Sequence, residues 1–277
     1  MARRASGLAA FALAMGVMAG AVGCTQPAPP TNANRPAAPT TSAASAIRAG
    51  IYDPVSGTFF LQIGDGPEAS SFTYGVPNQV PIVGDWNGDG ADSISIYDAA
   101  HGAFFLTDLN VSAPAKTEFT YGATNRRPVV GDWDGDGKDS IGIYDAQTAT
   151  FFLSNRNESA PATETFQFGV PDRVPLAGDW NGDGKDTVGI YDPATQSFFL
   201  TDVNVSAPAA HTFSFGPPGS IPLVGDWDGD GKDSVGAYDP ERGVFMLRNA
   251  LTAGAADREI VFGAPKMIPL VGRWAVH

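Results

Sequence analysis

Residues 143–184 read IYDAQTATFFLSNRNESAPATETFQFGVPDRVPLAGDWNGDG, and the fold follows from how this stretch divides. It contains four short apolar runs separated by turn residues. The first belongs to SIGIYD (Ser140–Asp145), where Ile141 and Ile143 share one face and Gly142 and Tyr144 the other. FFL (Phe151–Leu153) is the second. In the third, TFQFG, Phe166 and Phe168 share a face; the fourth, VPLAGDW, leads into an acidic loop. Alternation at period two, many β-branched and aromatic residues and no helical periodicity predict strands throughout. The unit recurs: Asp85, Asp132, Asp179 and Asp226 follow one another at intervals of 47, 47 and 47 residues. Four strands in a unit of roughly 40–50 residues make one blade of a β-propeller.

A stack of such units can stay open as a solenoid or close into a ring. The two ends of the array favour closure. The chain enters at Ile51-Tyr52-Asp53, just past the place of an acidic loop, and leaves at Pro269–Trp274, just before the next. Three strands at the start and one at the end complete a blade and hide both edges. Trp86, Trp133, Trp180, Trp227 and Trp274 count five such strands. The expectation is an all-β, five-bladed propeller over residues 47–277, closed by a C-terminal strand pairing with an N-terminal three-stranded part.

The loops GDWNGDGADS (from Gly84), GDWDGDGKDS (Gly131), GDWNGDGKDT (Gly178) and GDWDGDGKDS (Gly225) carry the chemistry. Position 1 is Asp85, Asp132, Asp179 or Asp226. Position 3 is Asn87, Asp134, Asn181 or Asp228, and position 5 is Asp89, Asp136, Asp183 or Asp230. Glycine follows at 6. Ala91, Lys138, Lys185 and Lys232 at position 7 offer a backbone carbonyl, and Asp92, Asp139, Asp186 and Asp233 stand at 8. Oxygens at 1, 3, 5 and 7 around a glycine at 6 describe a calcium loop. Turn chemistry alone explains a glycine and one Asp or Asn. It does not explain three or four carboxylates within eight residues, which repel unless a cation neutralises them. About four Ca²⁺ are expected, one per loop. An EF-hand is excluded by Ile96, Ile143, Ile190 and Ala237 at position 12, where it needs Glu. Arg273 is an internal control: it replaces the first Asp in the one GDW-type strand with no loop after it.

These loops resemble the calcium-binding FG-GAP/VCBS-type repeats of integrin-like propellers, over residues 47–277. The resemblance implies that each loop joins the innermost strand of a blade (VPLAGDW) to the second (SIGIYD). The family usually places its last acidic ligand at position 9. Here position 9 is Ser or Thr and the Asp stands at 8, which leaves open whether that Asp binds directly or through water.

Residues 1–23 read as a targeting segment, with Arg3 and Arg4 ahead of an apolar run from Leu8 to Val22 that is short for a membrane span. Ala21-Val22-Gly23-Cys24 resembles the lipobox of bacterial lipoproteins, which implies lipidation at Cys24 and a place in the cell envelope, outside the cytoplasm. Cys24 is the only cysteine, so no intrachain disulfide is possible. Residues 24–46, rich in Pro, Ala and Thr, have too little apolar bulk to order themselves and read as a disordered linker.

The formal charge of −13 becomes −15 if Arg3 and Arg4 are cleaved off, and four Ca²⁺ would bring it to −7. Such an acidic surface excludes nucleic-acid binding, which needs a basic face. His101, His211 and His277 occupy no repeat-equivalent positions, and no nucleophile or base accompanies them at a readable spacing. No catalytic or organic-cofactor residues are assigned. Asp98, Asp145, Asp192 and Asp239 read as turn caps. Asn110-Val-Ser112, Asn157-Glu-Ser159 and Asn204-Val-Ser206 read as polar loop tips. The expected function is a calcium-binding, surface-anchored, non-catalytic monomer that binds a protein or matrix partner. Alternatives are a lectin with equivalent sugar pockets between blades, a glycan hydrolase and a plain spacer.

Overall fold

Alternating apolar positions in short runs, each ended by Gly, Pro, Asn or Asp, leave the chain little choice but hairpins. The computed structural model describes residues 47–64 and 66–274. Cys24, the targeting segment, the linker and His277 lie outside the described residues. In chain order the strands are β1 (Arg48–Asp53), β2 (Thr58–Gln62), β3 (Ala69–Thr73), β4 (Val80–Gly84), β5 (Ser93–Asp98), β6 (Ala103–Leu106) and β7 (Thr117–Thr120). Then come β8 (Arg127–Gly131), β9 (Ser140–Asp145), β10 (Thr150–Leu153), β11 (Glu164–Gln167), β12 (Val174–Gly178), β13 (Thr187–Asp192) and β14 (Ser197–Leu200). β15 (His211–Ser214), β16 (Ile221–Gly225), β17 (Ser234–Asp239), β18 (Val244–Leu247), β19 (Arg258–Val261) and β20 (Ile268–Gly272) complete the set.

These strands form five four-stranded antiparallel sheets. Blade I is β4–β7, blade II β8–β11, blade III β12–β15 and blade IV β16–β19; blade V runs β20-β1-β2-β3. The closing pair is in register from Arg48↔Gly272 to Tyr52↔Ile268. The first strands β4, β8, β12, β16 and β20 touch one another in cyclic order, so they line the axis of a closed ring.

Within a blade the second, third and fourth strands stack an aromatic ladder. In blade II it is Tyr144, Phe151 and Phe166, with ring centroids 4.6 and 5.8 Å apart. Register dictates this, since Tyr144↔Phe151 and Phe151↔Phe166 are cross-strand partners. The ladder recurs as Tyr97-Phe104-Phe119, Tyr191-Phe198-Phe213 and Tyr52-Phe59-Phe72, while blade IV keeps Tyr238-Phe245 and ends in Ile260. Each ladder packs on the aliphatic face of the next blade's second strand. The blade I ladder meets Ile141 and Ile143, and that of blade V meets Ile94 and Ile96. The core is thus five inter-blade layers, and each buried ring contributes about 1.5–3 kcal/mol.

Two further devices hold neighbours together. Gly122 and Gly169, at φ of 68° and 80°, turn out of the fourth strand tight against the following blade. A Cβ there would lie 2.0 and 2.1 Å from Ile143 Cδ1 and Ile190 Cδ1. The Asn-X-Ser triplets are the second device, and they are not free loop tips. Asn157 Oδ1 accepts the Ile141 N–H and its Nδ2 donates to the Asp139 carbonyl, while Ser159 donates to Thr120 of blade I. Asn110 and Asn204 repeat the first pair of bonds. Ser112 and Ser206 accept N–H groups from Thr73 and Gln167 of the preceding blades. The hairpin aspartates do cap their turns: Asp98, Asp145, Asp192 and Asp239 each accept the N–H two residues on.

Candidate metal centres

The acidic loops join β4 to β5, β8 to β9, β12 to β13 and β16 to β17, all at one end of the ring. Their path is set by glycine at positions 4 and 6, where φ lies between 79° and 102° in every copy. L side chains rarely adopt that region. The reversal points backbone N–H groups inward at the position-1 carboxylate. Asp132 Oδ1 accepts from Gly135 (2.8 Å) and Asp136 (3.1 Å), and Oδ2 from Gly137 (2.9 Å). Asp85, Asp179 and Asp226 are held by the same three donors. One oxygen of each position-3 side chain accepts the position-5 N–H. One oxygen of each position-5 side chain accepts the position-7 N–H.

The loop therefore fixes all three side chains from below and aims them together. In the loops with Asp at position 3, carboxylate oxygens of Asp132, Asp134 and Asp136, and of Asp226, Asp228 and Asp230, lie within 4.8 Å of one another. Three negative groups so close repel strongly unless a cation is shared. Where position 3 is Asn the repulsion is eased: Asn87 Nδ2 donates to Asp89 (2.9 Å) and Asn181 Nδ2 to Asp183 (3.0 Å). An all-oxygen set of this kind suits a hard divalent ion. Position 7 contributes otherwise too: the Lys138, Lys185 and Lys232 side chains lie across Gly88, Gly135 and Gly182 of the preceding loop.

Position 8 makes a bond that the loop pattern does not imply. Asp92, Asp139, Asp186 and Asp233 are buried. Each reaches the position-1 residue of the preceding blade, or Arg273 in its place at the seam. The Oδ2 atoms accept the N–H of Arg273, Asp85, Asp132 and Asp179 at 2.5 to 2.9 Å. Their own N–H groups donate to the carbonyls of the same four residues at 2.8 to 2.9 Å. Asp92 clasps Arg273, which has no acidic loop at all, so the clasp belongs to the ring and not to ion binding. This two-point bond escaped sequence reading; its partners stand 54 residues apart in the repeats and 181 at the seam. At the fifth junction Arg273 Nη2 reaches Asp226 Oδ2 (3.9 Å), placing a fixed cation among these acids.

The clasps gather charge around the axis. A cavity of about 230 Å³ there is walled by Val83, Val130, Ala177, Val224 and Val271, with Asp92 and Asp139 at its edge. Burial pushes the Asp186 carboxyl well above the ordinary carboxylate range, and the facing Asp233 and Asp139 add to the effect. Burial likewise pushes Asp233 up to about 6, with Asp226 and Asp92 contributing and Arg273 opposing. The histidines stand apart from all this. His101 Nδ1 lies 2.8 Å from Asp98 on an exposed turn, and His211 Nε2 lies 3.3 Å from Asp202.

No family model matches the chain, and no curated protein does. Among solved structures it is similar to apo AztD from Citrobacter koseri, at 10% identity and a TM-score of 0.41, over 83% of this chain and 99% of that one. Hsv2 from Kluyvelomyces marxianus is similar at 11% identity and a TM-score of 0.36, over 69% of this chain and 61% of that one.

Proposed function

We propose that this chain is a calcium-binding, non-catalytic propeller of the FG-GAP/VCBS type that binds a protein or matrix partner. In this reading it is tethered to the bacterial cell envelope by a lipid on Cys24 and faces away from the cytoplasm. The observation that carries the metal reading is the convergence of three carboxylates within 4.8 Å on loops whose backbone is bent to hold them. Ligands come from positions 1, 3 and 5, with the position-7 carbonyl completing the set. The position-8 aspartates stay in their clasps.

A scaffold role rests on repetition. Side chains that could work as acid and base recur from blade to blade, whereas a catalytic site must break that symmetry. Cations at one rim would stiffen the loops there, and rigidly held loops are where propellers recognise partners. Calorimetric titration of the chelator-stripped protein with Ca²⁺ tests this directly. Four ions per chain are expected, with the two loops bearing Asp at position 3 filled first, since affinity rises with ligand charge. Uptake of no divalent ion would sink the proposal.

A further inference from the structure

Two neighbouring blade junctions, I/II and II/III, each hold a cavity of about 240 Å³ unrelated to the acidic loops. Their linings correspond across the 47-residue repeat, except that Asp192 itself lines the second while Asp145 stands behind Arg126 at the first. In the first, Phe152, Ile143 and Pro161 form apolar walls beside Arg126; in the second, Phe199, Ile190 and Pro208 stand beside Arg173. Phe152 and Phe199 are only half-buried, unlike the fully buried Phe151 and Phe198 of the ladders. Each guanidinium is paired with a buried hairpin aspartate: Arg126 Nη2 with Asp145 Oδ2 at 3.0 Å, Arg173 Nη2 with Asp192 Oδ2 at 3.3 Å. Arg173 Nε has no hydrogen-bond partner among the described residues.

The chemistry of these walls narrows the occupant. The volume falls below the roughly 300 Å³ at which pockets for drug-sized ligands begin, so it suits a single ring. An anion would meet the aspartate, and a cation would meet the arginine. A neutral ring bearing adjacent hydroxyls satisfies both, taking N–H donors from Arg and offering O–H to Asp. Its polarised C–H face suits the negative face of a phenylalanine ring. We propose that each cavity binds one pyranose ring of a glycan, stacked on Phe152 or Phe199 and hydrogen-bonded to Arg126–Asp145 or Arg173–Asp192. This rests on the binding-scaffold reading above and names its partner class. The other junctions differ at the arginine, which is Gln79, Ser220 or Met267 there, so the protein offers two adjacent sites and not five. Two rings on one polymer would bind with avidity.

The test uses the full chain in calcium on an array of hexose, deoxyhexose and N-acetylhexosamine termini, followed by titration with the sugar retained. Two equivalent sites per chain are expected. Replacing both Arg126→Met and Arg173→Met removes a charge-assisted bond at each site and weakens binding at least about tenfold; because it also unpairs Asp145 and Asp192 it lowers the melting temperature, so binding is read well below the variant's own melt. Gln79→Arg, where Phe105, Ile96, Pro114 and Asp98 already match, should raise the count to three. No retention on the array, or binding unaltered in the double methionine variant, overturns the assignment. Calcium uptake by a protein that retains no sugar would leave the calcium-scaffold reading standing. Sugar binding by a protein that takes up no calcium would leave the glycan sites standing without it.

Discussion

Two aspartates three residues apart, Asp136 and Asp139, separate the two jobs that carboxylates do here. Asp136 points into the acidic triad, so Asp136→Ala should cost about 1–3 kcal/mol of stability in millimolar calcium and much less in a chelator, where only its exposed bond to the Lys138 N–H is lost. Asp139 holds the buried Asp85 N–H, so Asp139→Ala should cost about 2 kcal/mol in both conditions, because it orphans that donor. Thermal melts of both variants with and without calcium check the pair. The raised carboxyls add a pH effect with an unusual sign. A folded pKa above the unfolded value means that the protonated form is favoured on folding. For Asp233 that stability is fully present below about 4, the unfolded value, and is lost as pH rises through about 6. Metal-free protein in chelator-treated buffer should therefore melt higher at pH 5 than at pH 7.5; an opposite order would contradict the burial described for Asp186 and Asp233. At this scale the convergence of Asp132, Asp134 and Asp136, and of Asp226, Asp228 and Asp230, was legible in the sequence, because alternate oxygens in a glycine-bent loop obey a local rule. Position 8 obeys no local rule, since its partner belongs to another blade.

Among elements, the connections between blades carry the specificity and the strands carry the burial. Gly169→Ala would force a methyl into Ile190 at a φ of 80°, and a loss of about 2–4 kcal/mol is expected from clash and backbone strain together. Asn157→Ala would orphan the Ile141 N–H and the Asp139 carbonyl, for about 1–3 kcal/mol. Urea unfolding midpoints measure both, and Asn157→Asp, which keeps one acceptor, should fall between wild type and alanine. Strand identity was legible from period-two alternation, and the ladders from Tyr and Phe at fixed places in the repeat. The Asn-X-Ser bonds were not legible, because a polar triplet in a loop looks alike whether its amide faces water or a neighbouring strand. Blade IV shows how replaceable the device is: it has Leu251 and Ala253 in those places, and Arg248 instead pins the loop through the Thr252 and Ala255 carbonyls.

Over the whole molecule, the ring was readable from its ends, since a blade lacking one strand at the start matched a lone strand at the finish. A variant ending before Ile268 should lose the β1–β20 pairing and leave an open edge on either side of the gap. Size-exclusion chromatography should then show larger species than the full chain forms under the same conditions. What sequence could not supply was the shape of the junction cavities, which depends on how far one blade sits from the next. The seam has a kinetic consequence. Its partners are the first and last strands of the array, so β1 emerges early and must wait through four complete blades before its neighbour exists. Contacts between such distant segments form slowly, and an early strand edge left open is available to any other extended chain nearby. For a nascent molecule, how long that vacancy lasts matters as much as how firmly the finished ring is held.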